Sequence, residues 1–153
     1  MTDAPLTNDA NRWVSITIGS HGFRTEAAAG KHTLVIDEPV AVGGTDEGPT
    51  PYEYLLTALG SCTAMTLRLY ADRKEWPLES ATVQLRSAAS HEKDCEDCAT
   101  KKVGITHIER RVIMTGHLSD EQRARLLEIA DRCPVKQTIE RGIHIDNAPL
   151  TNI

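Results

Sequence analysis

Two of the four cysteines in this sequence stand where a thiol could act as a nucleophile. Cys62 lies within the apolar run 50–65, and Cys133 directly precedes Pro134 at the end of a second helical pattern. A thiol on a packed face is sheltered from bulk oxidants, and it becomes a selective nucleophile if a nearby positive charge lowers its pKa. The alternative for each thiol is an inert side chain that only packs.

A second group of candidate ligands occupies the polar stretch 87–102. Cys95 and Cys98 form a Cys-x-x-Cys pair, with His91 four residues upstream and His107 beyond. Two thiolates and two imidazoles can close a tetrahedron around zinc, and two thiols alone can form a redox dithiol. A solvated acidic hairpin is the third interpretation, and the sequence leaves all three open.

Composition and charge narrow the classes of function. The chain has 153 residues, of which 40% are hydrophobic and 25% charged, values typical of one soluble globular domain covering residues 1–153. The net charge of −5 and the scattered Lys and Arg argue against nucleic-acid or membrane partners. No secretory or membrane-spanning pattern is visible at the start, so we expect a cytoplasmic protein with residues 1–11 as a flexible tail.

The motifs of several other enzyme classes are missing from the sequence. It has no phosphate-binding Gly-Lys-Ser loop, no Gly-x-Gly-x-x-Gly dinucleotide motif and no His-Glu-x-x-His zinc motif. We therefore expect no cofactor, and the thiols remain the main candidates for chemistry.

The elements that must position Cys62 are strands followed by a helix. Alternation predicts strands at 13–18, 23–27 and 32–36, joined by glycine-bearing turns into an antiparallel meander. A helix is predicted from residue 52 to about residue 74, with Cys62 facing the core. Its apolar stripe contains Leu55, Leu59, Cys62, Met65 or Thr66, and Leu69.

The second half of the chain predicts two further strands and a capped helix. Alternation indicates strands at 81–86 and 105–118. Ser119 and Gln122 have the spacing of a capping box, which begins a helix. The apolar stripe of that helix contains Leu126, Ile129, Ala130 and Cys133.

Cys133 is predicted to stand at the start of another short helix. Pro134 cannot continue a helical hydrogen-bond ladder, but it is favoured at the first position of a new helix, here 135–141. Cys133 would then be the N-cap, where the partial positive charge of the helix favours a thiolate. A last strand is predicted at 142–146, so the order is βββ-α-ββ-α-α-β, an α+β fold with a central buried helix.

The two cysteine segments together resemble a known protein family. Residues 51–62, paired at a distance with Cys133-Pro134, are similar to the OsmC/Ohr family of thiol-dependent organic hydroperoxide reductases. Residues 35–39, 43–44 and 143–146 resemble a divergent OsmC-like branch, and the similarity extends from about residue 13 to residue 146.

The resemblance implies an intertwined homodimer in which curved antiparallel sheets wrap around the cysteine-bearing helices. It implies that Cys62 is the peroxidatic cysteine and Cys133 the resolving one, with an organic hydroperoxide as substrate and a lipoyl-type dithiol as reductant. It also implies a cation near Cys62 and a carboxylate that orients it, for which Arg24 and Glu53 are the matching residues.

The spacing of Glu53 differs from that of the hydroperoxide reductases by one residue. Glu53 precedes Cys62 by nine residues, which places the two about half a turn apart on a straight helix. Glu53 therefore serves a partner subunit's site, lies before the regular helix or has another role. The competing hypothesis is a non-catalytic module of the same fold that binds a small apolar ligand, or a metal through Cys95 and Cys98.

Overall fold

The computed structural model describes residues 13–87, 104–105 and 107–147. The chain divides into two compact units, Met1–Tyr54 and Leu55–Ile153, which are described separately. The predicted α+β class with antiparallel sheets is confirmed. The single domain over residues 1–153 stays a prediction, and the predicted tail at 1–11 lies outside the described residues.

The first unit contains the predicted three-stranded meander. Its strands are β1 (Val14–Ile18), β2 (Thr25–Ala29) and β3 (His32–Ile36), in the order β1-β2-β3 with antiparallel pairing. Strand β2 begins two residues later than predicted. The β2–β3 turn is tight because Ala29 pairs directly with His32, and Gly30 adopts the left-handed φ of 63° in that turn.

A buried carboxylate fixes the loop that follows β3. Asp37 is 1% exposed and accepts hydrogen bonds from the Thr45 hydroxyl at 2.6 Å and the Thr45 amide at 3.0 Å. It also accepts from the amides of Glu38 at 2.8 Å and Glu47 at 3.2 Å. The Thr45 hydroxyl and these amides outweigh the effect of burial and lower the pKa of Asp37 to about 2. Asp37 therefore holds the loop together as a permanent anion.

Helix α1 (Pro51–Arg73) starts with a reciprocal cap. The Thr50 amide donates to the Glu53 carboxylate at 2.8 Å, and the Glu53 amide donates to the Thr50 hydroxyl at 3.3 Å. Pro51 occupies the first helical position, where its missing N–H costs nothing. Glu53 therefore lies inside the regular helix, which excludes the interpretation that it precedes the helix.

The buried stripe of α1 differs from the predicted one. Its buried residues are Leu59, Thr63, Leu67 and Ala71. Met65 and Leu69 were predicted to face the core but are 71% and 53% exposed, and Cys62 is half-buried. The reason is that α1 carries small and apolar residues around most of its circumference, so its sequence does not determine which face is covered.

The second unit adds two strands and two helices around its core. Strand β4 (Ser80–Ser87) pairs antiparallel with β5 (Ile108–Thr115), and helices α2 (Asp120–Ala130) and α3 (Pro134–Arg141) follow. Strand β5 is shorter at both ends than the predicted strand at 105–118. The core of this unit contains Leu67, Ala71, Leu78, Leu118, Leu126, Ile129 and Ala130.

The last predicted strand, at 142–146, does not form in the described chain. Its two alternating apolar residues, Ile143 and Ile145, are 69% and 84% exposed. A strand needs a neighbouring edge to satisfy its amides and carbonyls, and no described strand of this chain pairs with this segment. Alternation alone was therefore not enough to make the prediction correct.

Candidate functional site: a pair of contacting thiols

Cys133 occupies the N-cap of helix α3, as predicted. Its side chain is fully buried, and Pro134 follows at the first helical position. The amides of Val135 and Lys136 are near enough to lower the pKa of Cys133. The helix has no side-chain cap hydrogen bond, and its first turn contains no acidic residue. The positive end of α3 therefore acts on a sulfur atom.

Cys62 contacts Cys133 from helix α1. The two thiols are close enough for each to shift the pKa of the other, and both are free cysteines. The Val135 amide also influences the pKa of Cys62, which it lowers. The Cys133 thiol donates to the carbonyl oxygen of Leu59, one helical turn before Cys62, with 4.0 Å between sulfur and oxygen. The fold thus brings together two cysteines that are far apart in sequence.

The two thiols differ in acidity. Burial raises the pKa of Cys62, and the hydrogen bond and charge of Cys133 raise it further. Burial would raise the pKa of Cys133 as well, but hydrogen bonds from Cys62, the Lys136 amide, Thr63 and the Val135 amide together lower it. Cys133 is therefore the more acidic of the two thiols.

Two threonines that sequence reasoning missed support the sulfurs. Thr63 is fully buried, and its hydroxyl donates to the Leu59 carbonyl at 2.8 Å. Thr63 is also one of the groups that lower the pKa of Cys133. Thr66 donates to the Cys62 carbonyl at 2.8 Å, and it opposes the rise in the pKa of the Cys62 thiol. The feature of the sequence that could have identified Thr63 is its position four residues after Leu59, which makes it a polar residue in the buried stripe of α1.

Arg24, in the first unit, is held by two carboxylates of that unit. Its Nε donates to Glu47 at 2.7 Å, and a terminal nitrogen donates to Glu26 at 2.9 Å. Hydrogen bonds with Glu26 and then Glu47 raise the pKa of Arg24. Glu53 closes the cap of α1 with Thr50. The catalytic roles of Arg24 and Glu53 stay predictions.

The second unit contains a cavity of about 430 Å³ that neither cysteine lines. Its lining residues are Leu55, Leu59, Ile105, His107, Ile108, Arg110, Lys136, Ile139 and Glu140. Leu59 and Lys136 connect it to the site, because the Leu59 carbonyl and the Lys136 amide both approach the Cys133 sulfur. A volume of this size suits a small organic molecule.

The proposed zinc ligands are mostly outside the described residues. Cys95, Cys98 and His91 lie there, whereas His107 is exposed on the wall of the cavity. Within residues 13–87, 104–105 and 107–147, no three His, Cys, Asp or Glu side chains are placed to hold a metal ion.

Comparison with known proteins identifies the fold. Residues 44–147 match the family model described as OsmC-like protein. An OsmC-like protein from Mycoplasma pneumoniae is 17% identical with a TM-score of 0.67, covering 85% of this chain and 89% of that one. No curated protein matches this sequence.

Several similar solved structures carry names that refer to hydroperoxides. An organic hydroperoxide resistance protein OsmC from Legionella pneumophila is 18% identical with a TM-score of 0.59, covering 83% of this chain and 88% of that one. An organic hydroperoxide resistance protein from Elizabethkingia anophelis is also 18% identical, with a TM-score of 0.58, covering 82% and 86%. At this level of identity the likeness establishes the fold alone.

Proposed function

Because the chain belongs to the OsmC-like protein family, we propose that it reduces organic hydroperoxides through Cys62 and Cys133. The observation that carries the proposal is the proximity of the two thiols, which suits a nucleophile with a resolving group next to it. Solved structures named as organic hydroperoxide resistance proteins share the fold, which supports the same substrate class.

The proposed reaction has two steps and ends in a disulfide. The Cys62 sulfur attacks the distal oxygen of the hydroperoxide, the O–O bond breaks, and the alcohol leaves while Cys62 becomes a sulfenic acid. The Cys133 sulfur then attacks the Cys62 sulfur, water leaves, and a disulfide forms. An external dithiol of the lipoyl type, which the family resemblance implies, would reduce that disulfide by thiol exchange.

Accessibility supports the order of the two cysteines. Cys62 is half-buried and Cys133 fully buried, so a hydroperoxide reaches Cys62 more easily. The cavity offers its five aliphatic side chains, Leu55, Leu59, Ile105, Ile108 and Ile139, to the organic part of the substrate. This arrangement favours an alkyl or aryl hydroperoxide over hydrogen peroxide, which has no apolar part to bury.

A homodimer is part of the proposal, and uncovered apolar residues support it. In the first unit, Val14, Ile16 and Ile18 of β1 are all more than half exposed, and in the second unit Ile143 and Ile145 are exposed. Exposed apolar groups of this kind mark association surfaces. Sedimentation should give twice the chain mass of 16.8 kDa, and a monomer at working concentration would remove this part of the proposal.

Arg24 and Glu53 enter the proposal through the family resemblance, as the cation and carboxylate that serve Cys62. Arg24→Met should slow turnover if this assignment is correct, and Lys31→Met, a matched loss of charge on a β-turn, should not. Equal rates in the two variants would remove Arg24 from the mechanism.

The expected location of the protein is the cytoplasm. Among the described residues, no helix is long and apolar enough to cross a membrane.

The proposal is tested by dithiol-dependent consumption of cumene hydroperoxide. Cys62→Ser should abolish turnover, and Ser61→Ala, an exposed neighbour on the same helix, should leave it unchanged. Dihydrolipoamide serves as reductant, with dithiothreitol as a second dithiol. Unchanged consumption by Cys62→Ser would contradict the proposal.

The cavity also supports a second candidate function, a non-catalytic module that binds a small apolar ligand. Under that function an apolar fluorescent dye such as ANS would bind with a defined stoichiometry, and Cys62→Ser would leave every activity of the protein intact. Zinc measurement on the purified protein tests the Cys95 and Cys98 alternative separately, because one zinc per chain would indicate a metal site there.

A further inference from the structure

We propose that Arg110 is a positioning residue for the resolving thiol, because its two hydrogen bonds hold the connection between α2 and α3 that ends in Cys133. The inference rests on the proposed peroxidase function and concerns its second step, in which the Cys133 sulfur closes the disulfide with Cys62. The family resemblance assigned no role to this arginine.

Arg110 lies on the covered face of strand β5. Side chains alternate along a strand, so Arg110 shares a face with Val112 and Met114, which pack against the core of the second unit. Its neighbour Arg111 lies on the opposite face and is 69% exposed, whereas the side chain of Arg110 is only 18% exposed. A guanidinium that is largely removed from water needs hydrogen-bond partners, and the end of helix α2 supplies them.

The guanidinium of Arg110 caps the C-terminus of α2. One terminal nitrogen donates to the Ala130 carbonyl at 3.0 Å, and the other donates to the Asp131 carboxylate at 2.7 Å. Ala130 is the last residue of α2 and Asp131 is its C-cap, and the last turn of this helix has no basic residue of its own. Since a helix C-terminus favours a cation, Arg110 provides from β5 the charge that α2 lacks.

The connection that Arg110 holds is short, because only three residues separate α2 from α3. Asp131 also lies 3.6 Å from the Lys136 ammonium group of α3. The Cys133 carbonyl accepts a hydrogen bond from the Gln137 amide at 3.1 Å, which ties the backbone of Cys133 to the same helix. Strand β5 and helix α3 therefore fix this connection from both sides.

The Cys133 sulfur is held only weakly by its own side-chain contacts. A thiol is a weak donor, its hydrogen bond to the Leu59 carbonyl is 4.0 Å long, and it makes no side-chain cap bond. Disulfide formation tolerates little error, because the two Cβ atoms must come within about 3.5–4.5 Å of each other. The position of the connection, which Arg110 sets, therefore decides how well the Cys133 sulfur reaches Cys62.

The second step isolates this effect. The Cys133 sulfur bonds to the Cys62 sulfur as the S–O bond of the sulfenic acid breaks, and the thiol proton leaves with the hydroxyl group as water. This step needs no substrate in the cavity, and its rate depends on where Cys133 lies. We therefore expect loss of Arg110 to prolong the lifetime of the sulfenic acid.

The test follows a single turnover of the reduced protein with a stoichiometric amount of cumene hydroperoxide and no external reductant. Samples are quenched in acid at increasing times, and intact-mass spectrometry gives the amounts of sulfenic acid and disulfide. Arg110→Met should slow the conversion of sulfenic acid to disulfide about tenfold, since a misplacement of about 1 Å can cost as much as about a hundredfold. Arg111→Met, the same loss of charge one residue along β5, should convert at the wild-type rate.

Asp131→Ala is the second variant, because it changes a side chain that is 59% exposed and leaves the hydrogen bond from Arg110 to the Ala130 carbonyl in place. The same conversion should slow severalfold, less than in Arg110→Met. Urea denaturation of both variants measures whether the fold is retained. If Arg110→Met does not fold, Asp131→Ala decides the question alone.

The outcomes separate the inference from the function on which it rests. Conversion at the wild-type rate in the folded variants would overturn the inference. Arg110 also lines the cavity, so a slower loss of hydroperoxide with unchanged conversion would assign it to substrate binding and overturn the inference as well.

If the wild-type protein consumes no hydroperoxide, the proposed function fails, and the position of Cys133 is measured without a peroxide. Diamide takes up the two electrons and two protons that Cys62 and Cys133 lose when they couple. Slower closure of this disulfide in Arg110→Met than in Arg111→Met would support the positioning role of Arg110, and equal rates of closure would overturn it.

Discussion

Helices α2 and α3 lie in the same unit, but their N-termini are satisfied in different ways. Helix α2 begins with a complete capping box, in which the Gln122 amide donates to the Ser119 hydroxyl and the Ser119 amide donates to the Gln122 side chain. Helix α3 begins with Cys133, a buried sulfur, and has no conventional side-chain cap. The first arrangement gives the Gln122 amide a side-chain acceptor, and in the second the first amides of the helix act on a thiol.

The same property, the partial positive charge of a helix N-terminus, contributes to the stability of helix α2 and to the chemistry of the thiol at helix α3. Both N-termini favour negative charge, because the pKa of Glu121 in the first turn of α2 is lowered and so is the pKa of Cys133. Glu121 is exposed. Cys133 is buried beside a second thiol, Cys62, so the same stabilisation acts on one member of a thiol pair.

The largest effect is expected when the first turn of α3 receives an acidic residue, as the first turn of α2 has. Lys136→Glu places a carboxylate beside the Cys133 sulfur and removes the ion pair with Glu140. We expect the pKa of Cys133 to rise and hydroperoxide turnover at neutral pH to fall about tenfold, since like charge disfavours the thiolate. Lys136→Gln is the control, and an equal loss in both variants would show that the ion pair, rather than the added charge, matters.

A smaller effect is expected from the buried hydroxyl beside Cys133. Thr63→Val keeps the shape of the side chain but removes a hydroxyl that lowers the pKa of Cys133, so that pKa should rise. Thr63→Ser should restore the wild-type values, and the pH at which thiolate absorbance develops measures the change. If the Val and Ser variants titrate alike, the hydroxyl has only a structural role.

The smallest effect on the thiols is expected from a change in the cap of helix α2. Ser119→Ala removes the cap of α2 and should lower the free energy of unfolding by about 1 kcal/mol. It should leave the titration of the thiols unchanged, because this cap stabilises α2 and has no contact with either sulfur among the contacts described. Urea denaturation and thiol titration of one sample measure both. A shifted thiol titration would show that the two helix starts are coupled.

Local signals in the sequence predicted both helix starts. Ser119 with Gln122 three residues on predicts a capping box, and Cys133 before Pro134 predicts an N-cap, because both depend on residues close in sequence. The stripe of α2 was also predicted correctly, since its polar residues leave a single apolar face.

Features that depend on residues far away in the sequence were not predicted. The strand at 142–146 was wrong because strand formation needs an edge that the described chain does not supply. The buried face of α1 was misplaced because that helix is apolar around most of its surface. The N-cap position of Cys133 was predicted to favour a thiolate, but the influence of Thr63 on its pKa arises only in the folded chain.

The central claim about the site is that Cys133 is the more acidic of the two thiols. Thiolate ultraviolet absorbance, recorded against pH on Cys62→Ser and Cys133→Ser, measures each sulfur alone, and serine in either position keeps a hydrogen-bond donor. The account predicts that Cys62→Ser retains a thiol titrating below the ordinary cysteine value of 9.0 and that Cys133→Ser retains one titrating above it. The reverse order, with the acidic thiol on Cys62, would contradict the account.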